Sequence, residues 1–163
     1  LEFFRAIPPP VLVPVLMLLM GITDTMKVVV IISGCVWPVL LNTIEGVRAV
    51  DPVLSDSTHT YGINGWARVR YLVLPSASPQ IMAGVRQSLS LGLILMVISE
   101  MFASSSGLGF AIVQFQRSFS IPEMWSGIVV LGLLGVGMSF IFQWAERHIL
   151  RWYHGQKEVE NAA

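Results

Sequence analysis

The polar side chains that could take part in chemistry are concentrated between residues 51 and 79, in the stretch DPVLSDSTHTYGINGWARVRYLVLPSASP. The carboxylate of Asp56, the hydroxyls of Ser57 and Thr58 and the indole of Trp66 can bind a protein surface through hydrogen bonds and apolar contact. The local sequence arranges no nucleophile beside a general base, as covalent catalysis requires. The residue types of this segment, which we call the connector (residues 51–79), therefore predict a binding surface and no enzymatic activity.

The remaining reactive residues of the chain do not form a catalytic or metal-binding pattern either. His59, His148 and His154 share no metal-ligand spacing, and no cysteine–histidine cluster exists. The stretch SSSGLG at 104–109 lacks the Gly-Lys-Ser/Thr ending of a phosphate-binding loop, and we interpret it as a turn in an external loop. We expect neither a metal nor another cofactor, and we interpret Cys35 as a small packing residue.

The composition indicates that these polar groups belong to a membrane protein. Hydrophobic residues make up 54% of the chain and charged residues 12%, with a mean hydropathy of +0.70. Soluble domains usually carry about 25% charged residues. The formal net charge is zero, so charge does not point to a nucleic-acid partner. The chain is therefore expected to lie in a lipid bilayer.

Four apolar segments flank the connector, at residues 11–22, 28–44, 81–103 and 125–146. The first is shorter than the roughly 17–25 residues that usually cross a bilayer, and Pro38 predicts a kink in the second. The expected fold class is all-α: a polytopic membrane bundle of about four transmembrane helices.

The distribution of basic residues predicts the orientation of this bundle. With four spans, the outer side holds Lys27 and Arg117. The side of the connector holds eight basic residues, namely Arg5, Arg48, Arg68, Arg70, Arg86, Arg147, Arg151 and Lys157. Because lysine and arginine accumulate in cytoplasmic loops, the connector and the C-terminus are expected to face the cytoplasm.

The connector itself is predicted to form two short helices. Asp51 can cap the first helix and Pro52 suits its first position, whereas Gly62 suits the left-handed residue that ends it. Asn64 can cap a second helix, which Pro75 and the proline at position 79 are expected to close. Such short helices need support, either from the membrane surface or from the cleft of a cytoplasmic partner.

The motif within this connector resembles the EAA loop of permease subunits of binding-protein-dependent ABC importers. The resemblance is carried by Asp56-Ser57-Thr58, by Gly62 six positions after Asp56, and by Leu74-Pro75 with Pro75 thirteen positions after Gly62. Aspartate stands where the family has glutamate, and Ser-Thr where it has Ala-Ala. The stretches RAIPP at 5–9, LNTIEGVR at 41–48, SGLG at 106–109 and ERHILRW at 146–152 are similar to the nitrate, sulfonate and taurine branch.

The resemblance implies a multi-pass protein of a bacterial inner membrane, with an N-terminally truncated type I importer fold over residues 1–163 and the coupling loop at about 51–79. It implies a cytoplasmic ATP-binding cassette ATPase dimer, a second permease copy in a homodimer, and a soluble extracytoplasmic solute-binding protein as partners. The substrate would be a small anion or an organosulfur compound. The residues expected to dock on the ATPase are Asp56, Ser57, Thr58, Gly62, Trp66, Leu54, Tyr61 and Pro75.

Three residues of the third apolar segment are candidates for the substrate path. Ser88 and Gly92 continue a four-residue spacing from Gly84, which equally suits packing within the chain or between two copies. Glu100 ends the segment near the outer interface, where we expect water to reach it. At the inner ends, Asn42 and Glu45 have either a structural role or a contact with the connector, and Arg86 is expected to extend its charge towards water.

Two other classes of protein fit the same composition. The first is a secondary transporter or channel driven by ions, although no pair of charges is buried in mid-span for ion coupling. The second is a membrane anchor that only holds a cytoplasmic partner through the connector.

Overall fold

The computed structural model describes residues 6–151 and residue 153, and it contains no strand among them. A 3-10 turn at Pro9–Val11 leads directly into the first α-helix. The helices are α1 (Leu12–Met20), α2 (Asp24–Arg48), α3 (Pro52–Thr60), α4 (Gly65–Phe102), α5 (Leu108–Arg117) and α6 (Ile121–Ile149). The predicted all-α class is confirmed.

Three of these helices, α2, α4 and α6, are long and apolar enough to cross a membrane by length and composition. The apolar helix Pro9–Met20 is shorter. It spans about 18 Å at the helical rise, against about 30 Å for a hydrocarbon core. The described residues thus provide three full-length candidate spans, where we had expected about four.

Helix α4 runs for 38 residues from the connector into the third apolar segment. The prediction that Pro75 and Pro79 close a separate connector helix is therefore wrong. A π-helical stretch, Val69–Val73, widens the helix just before Pro75, and the Leu74 N–H donates to the Val69 carbonyl. A wider turn accommodates a proline ring that would otherwise meet the carbonyl of the preceding turn.

The second proline of α4 has a local substitute for its missing donor. Pro79 has no N–H to offer to the carbonyl four residues earlier, which is that of Pro75. The Ser78 hydroxyl donates to this carbonyl at 2.8 Å. The helix can therefore continue through position 79 without leaving a carbonyl unpaired.

The chain divides into two compact units. The first unit comprises residues up to Trp37 together with Ser88–Ile141. Its buried apolar cluster consists of Val13, Met26, Val30, Leu95 and Ala103. This cluster packs the hairpin of α1 and α2 against the second half of α4, and the hairpin turns at Gly21, where φ is +71°.

The second unit comprises Pro38–Gln87 together with residues from Phe142 onwards. Within it, α2 and α4 approach each other closely through glycines. A Cβ on Gly46 would lie 3.0 Å from the Ala77 carbonyl oxygen, and one on Gly84 would lie 2.8 Å from the Pro38 carbonyl oxygen. No side chain fits at either position without moving the backbone, so these glycines determine the spacing of the two helices.

Candidate functional site

Helix α3 is the first element of the connector, and its start matches the prediction. The Asp51 carboxylate accepts a hydrogen bond from the Val53 N–H at 2.7 Å, and Pro52 occupies the first helical position. This bond satisfies one of the free amides of the first turn, and proline adds no unpaired donor there.

The end of α3 is a Schellman motif, and it requires glycine at position 62. The Gly62 N–H donates to the His59 carbonyl at 3.1 Å, and the Ile63 N–H donates to the Thr58 carbonyl at 2.9 Å. Gly62 has a φ of +69°, as predicted for a left-handed residue. A Cβ at this position would meet nothing within 4 Å, so the backbone conformation alone favours glycine.

A second left-handed glycine starts α4. Gly65 has a φ of +60°, and a Cβ here would also meet nothing within 4 Å. Asn64 occupies the N-cap position, as predicted, but its side chain makes no capping hydrogen bond. The elbow between α3 and α4 is therefore bounded by two glycines whose conformations are unusual for other residues.

The surface of the connector carries large exposed apolar side chains. Tyr61 is 81% exposed, Trp66 73% and Leu54 50%. Tyr71, on the next turn of α4, is 73% exposed. Aromatic side chains of this kind dominate the binding energy of protein interfaces. The predicted apolar anchors are thus available for contact with a partner.

The polar residues of the motif behave differently from one another. The Ser57 and Thr58 hydroxyls donate to the carbonyls of Val53 and Ser55, at 2.8 and 2.7 Å, so both are used within α3. Asp56 is exposed, and no ion pair involves it within residues 6–151. Its carboxylate is the acidic group of the motif that can meet an external donor. Pro75 is half-buried within α4.

Arg68 joins the two helices of the connector, and the sequence analysis did not single it out. Its Nη2 donates to the Ser55 hydroxyl at 2.7 Å, across 13 residues of chain. Its Nε is buried without a hydrogen-bond partner in the described part of the chain. A basic residue one helical turn after an N-cap could have suggested such a contact, but the partner depends on how the elbow folds.

Glu100 lies in the first unit and is buried, with 7% of its surface exposed. The expectation that water reaches it is therefore wrong for this structure. Its Oε2 accepts a hydrogen bond from the Gly109 N–H at 2.8 Å, in the first turn of α5. A carboxylate at this position satisfies a free amide and opposes the positive end of the helix dipole.

The glycines after Glu100 make room for this contact. A Cβ on Gly109 would lie 2.5 Å from the Val97 carbonyl oxygen, and one on Gly107 would overlap the Glu100 carboxylate. Gly107 is the N-cap of α5. The stretch that we interpreted as a simple turn therefore ends in a helix that the sequence analysis missed.

Ser88 and Gly92 pack against α2 within the first unit. The Ser88 hydroxyl donates to the Cys35 carbonyl at 2.8 Å, and the Cys35 thiol donates to the Ser88 carbonyl at 3.2 Å. A Cβ on Gly92 would lie 3.4 Å from the Cys35 sulfur. These contacts support the packing interpretation of the four-residue spacing, and a role of both residues in a substrate path stays a prediction.

Arg86 and Glu146 form an ion pair in the second unit, between the first half of α4 and the end of α6. Glu146 is mostly buried, whereas the Arg86 side chain is 55% exposed. Arg86 therefore reaches water, as we expected, and in addition forms an ion pair within the chain. The sequence could have suggested this ion pair, because Arg86 and Glu146 are opposite charges near the ends of two apolar segments.

The fold and the connector together define a class of protein: a polytopic membrane protein whose spans are joined by a structured loop with an exposed apolar surface. The chain matches the family described as "Binding-protein-dependent transport system inner membrane component" over residues 1–154. It therefore belongs to this family and is a multi-pass protein of the inner membrane, as predicted.

Several curated relatives are similar over nearly the whole chain. Permease protein SsuC of Bacillus subtilis, named for aliphatic sulfonates transport, is 28% identical over 93% of this chain and 55% of its own length. The taurine transport system permease protein TauC of Escherichia coli is 26% identical over 96% of this chain and 56% of its own length. The riboflavin transport system permease protein RibX of Chloroflexus aurantiacus is 30% identical, over 91% and 55%. The chain thus spans little more than half the length of these relatives.

Proposed function

We propose that this chain forms part of the permease subunit of an ATP-driven importer, coupled through residues 51–79 to a separate ATP-binding cassette ATPase. The observation that carries the proposal is the connector. It is a capped helix followed by a turn with glycines of positive φ, and its exposed side chains include Leu54, Tyr61 and Trp66. Exposed apolar residues on an ordered element indicate a protein interface.

The charge distribution supports a cytoplasmic position of this connector, where ATP is available. Eight of the ten basic residues belong to the predicted connector side. Asp56 supplies an exposed carboxylate within the apolar surface. A basic or amide group of the ATPase would complement it, as charged groups at an interface determine orientation and specificity.

The substrate that we propose is a small organosulfur compound or anion, such as a sulfonate or taurine. Relatives named for aliphatic sulfonates and taurine support this class of substrate. A relative of similar identity is named for riboflavin, so similarity of sequence does not by itself specify the substrate. A second permease copy and a soluble solute-binding protein complete the proposed assembly, with ATP hydrolysis in the ATPase.

Crosslinking from the elbow tests the docking site. Cys35 is the one native cysteine and can be replaced by serine, which keeps a donor for the Ser88 carbonyl. In that background, Tyr61→Cys carries a photoactivatable crosslinker in membranes that contain the complete transporter. We expect an adduct with the ATPase, and none from Phe119→Cys, which is equally exposed but lies in the turn before α6.

Two outcomes contradict the proposal. If Tyr61→Cys yields adducts only with lipid while the ATPase is present in the same membranes, the connector does not dock on it. If uptake into vesicles is insensitive to vanadate and is abolished by an ionophore, the protein is an ion-coupled transporter. Wild-type vesicles without the solute-binding protein provide the control for uptake.

A further inference from the structure

The elbow between α3 and α4 is held by little besides its own backbone. Gly62 and Gly65 bound it, and a Cβ at either position would meet no other atom within 4 Å. The residues between them, 63 and 64, form no regular helix. Because glycines readily change φ and ψ, this segment can act as a hinge unless another contact fixes the two helices to each other.

The Arg68–Ser55 hydrogen bond is such a contact. Ser55 lies in the first half of α3, and Arg68 lies in the first turn of α4, so the bond crosses the elbow. A guanidinium donor makes a stronger hydrogen bond than a neutral one, and here the Arg68 side chain is half-buried, with its Nε buried. The bond therefore resists opening of the elbow more than a surface contact would.

Helix α4 connects this contact to the membrane. Arg68 belongs to the same continuous helix, Gly65–Phe102, that contains a candidate span. A displacement of α3 can thus reach the span through the Arg68 side chain as well as through the peptide chain of the elbow. If the side-chain contact is lost, α3 can pivot at the glycines while α4 stays in place.

We propose that Arg68 is a positioning residue that couples α3 to α4, so that movement of a docked ATPase is transmitted to the membrane span. The inference rests on the proposed function of the connector. In this arrangement the exposed residues of α3 hold the partner, and the Arg68–Ser55 hydrogen bond makes the two helices move as one body. Arg68 itself needs no contact with the ATPase.

The variant that tests the proposal is Arg68→Met, which keeps an apolar stem but removes the charge and the donors. The matched control is Arg70→Met, because Arg70 is exposed two positions further along the same helix. In proteoliposomes of the complete transporter, we expect Arg68→Met to lower substrate molecules transported per ATP hydrolysed by about three- to thirtyfold. ATPase association and basal hydrolysis should stay at the level of Arg70→Met.

Ser55→Ala removes the acceptor and keeps the arginine. Thr60→Ala is its control, since the Thr60 hydroxyl donates to the Asp56 carbonyl within its own helix and has no other hydrogen bond among the described residues. Ser55→Ala should reduce coupling in the same direction, and the double variant should add little to the stronger single one. Arg68→Lys should restore part of the coupling, because lysine keeps a donor and the charge.

Equal coupling ratios for Arg68→Met and Arg70→Met would overturn the proposal. So would a Ser55→Ala variant that transports normally although Arg68→Met does not fold. Failure of the proposed function looks different: in that case the wild-type protein itself neither binds an ATPase nor depends on ATP for uptake. The ratio of transport to hydrolysis is the decisive readout, since a purely structural defect lowers both in proportion.

Discussion

At the residue scale, two glycines with positive φ, one in the connector and one outside it, allow a test of docking. Gly62 and Gly21 have φ values of +69° and +71°, and a Cβ at either would meet nothing within 4 Å. Valine at Gly62 should therefore impose a backbone strain of about 1–2 kcal/mol, and valine at Gly21, where ψ is −175°, should impose at least as much. The two variants differ in that only Gly62 belongs to the connector.

We predict that Gly62→Val remains in the membrane but loses ATP-driven uptake, whereas Gly21→Val keeps it. The cause would be distortion of the elbow together with a side chain in the space that the ATPase needs. Co-purification of the ATPase and uptake into vesicles are the measurements. Normal uptake by Gly62→Val, or equal losses in both variants, would count against docking at the elbow.

Glu100 allows a second prediction at this scale. Glu100→Ala removes the acceptor of the Gly109 N–H and should lower the stability of the first unit by about 1–3 kcal/mol. Glu100→Gln keeps an acceptor oxygen and should lose less, and Glu123→Ala, at an exposed position, should lose least. Thermal unfolding in detergent measures all three variants.

A different result would return Glu100 to the substrate path. If Glu100→Gln unfolded at the wild-type temperature but bound or transported substrate several-fold less well, its charge would have a role beyond the contact with α5. If all three variants were equally stable, the hydrogen bond to Gly109 would not matter for folding.

At the scale of elements, the glycines of the apolar helices divide into two kinds. A Cβ on Gly84 in α4 would lie 2.8 Å from a backbone atom of α2, the Pro38 carbonyl oxygen, whereas a Cβ on Gly132 in α6 would meet nothing within 4 Å. Both glycines lie inside long helices, where alanine is intrinsically favoured by about 1 kcal/mol.

We therefore predict opposite effects of the same substitution. Gly84→Ala should destabilise the protein, because α2 and α4 must separate to admit the methyl group. Gly132→Ala should leave the unfolding temperature unchanged or raise it. Unfolding of the purified variants in detergent measures the difference, and equal temperatures would show that the close approach of α2 and α4 does not limit stability.

At the scale of the whole molecule, the orientation in the membrane is the property to test. In the Cys35→Ser background, we predict that a membrane-impermeant maleimide labels Phe119→Cys in intact cells. Tyr61→Cys should be labelled only after the inner membrane is made permeable, because the distribution of the basic residues predicts a cytoplasmic connector. Both side chains are more than 80% exposed, so accessibility within the chain does not distinguish them.

The reverse pattern of labelling would overturn the orientation and, with it, the proposed access to ATP. Labelling of both positions in intact cells would instead indicate damaged membranes. A native cytoplasmic protein with exposed cysteines is the control, because it is labelled only if the membrane is damaged. The measurement needs no knowledge of the substrate.

The helical membrane class and the local chemistry of the connector follow from the residue types and their spacing. The Asp51 cap, the left-handed Gly62 and the apolar anchors Leu54, Tyr61 and Trp66 are all where the residue types predict them. These features depend on interactions within about one helical turn, so neighbouring residues suffice to specify them.

The contacts between distant residues became known from the folded structure. Ser55 and Arg68 are 13 residues apart, and Arg86 and Glu146 are 60 apart. The contact of Glu100 with Gly109 depends on a loop that returns the chain onto its own helix. Such pairings follow from the packing of whole helices. From the sequence alone, each charged residue has many possible partners, so these pairs could not be predicted. The continuation of α4 through its prolines was also missed, although the features that accommodate them, the π-helical stretch before Pro75 and the Ser78 hydroxyl, are local.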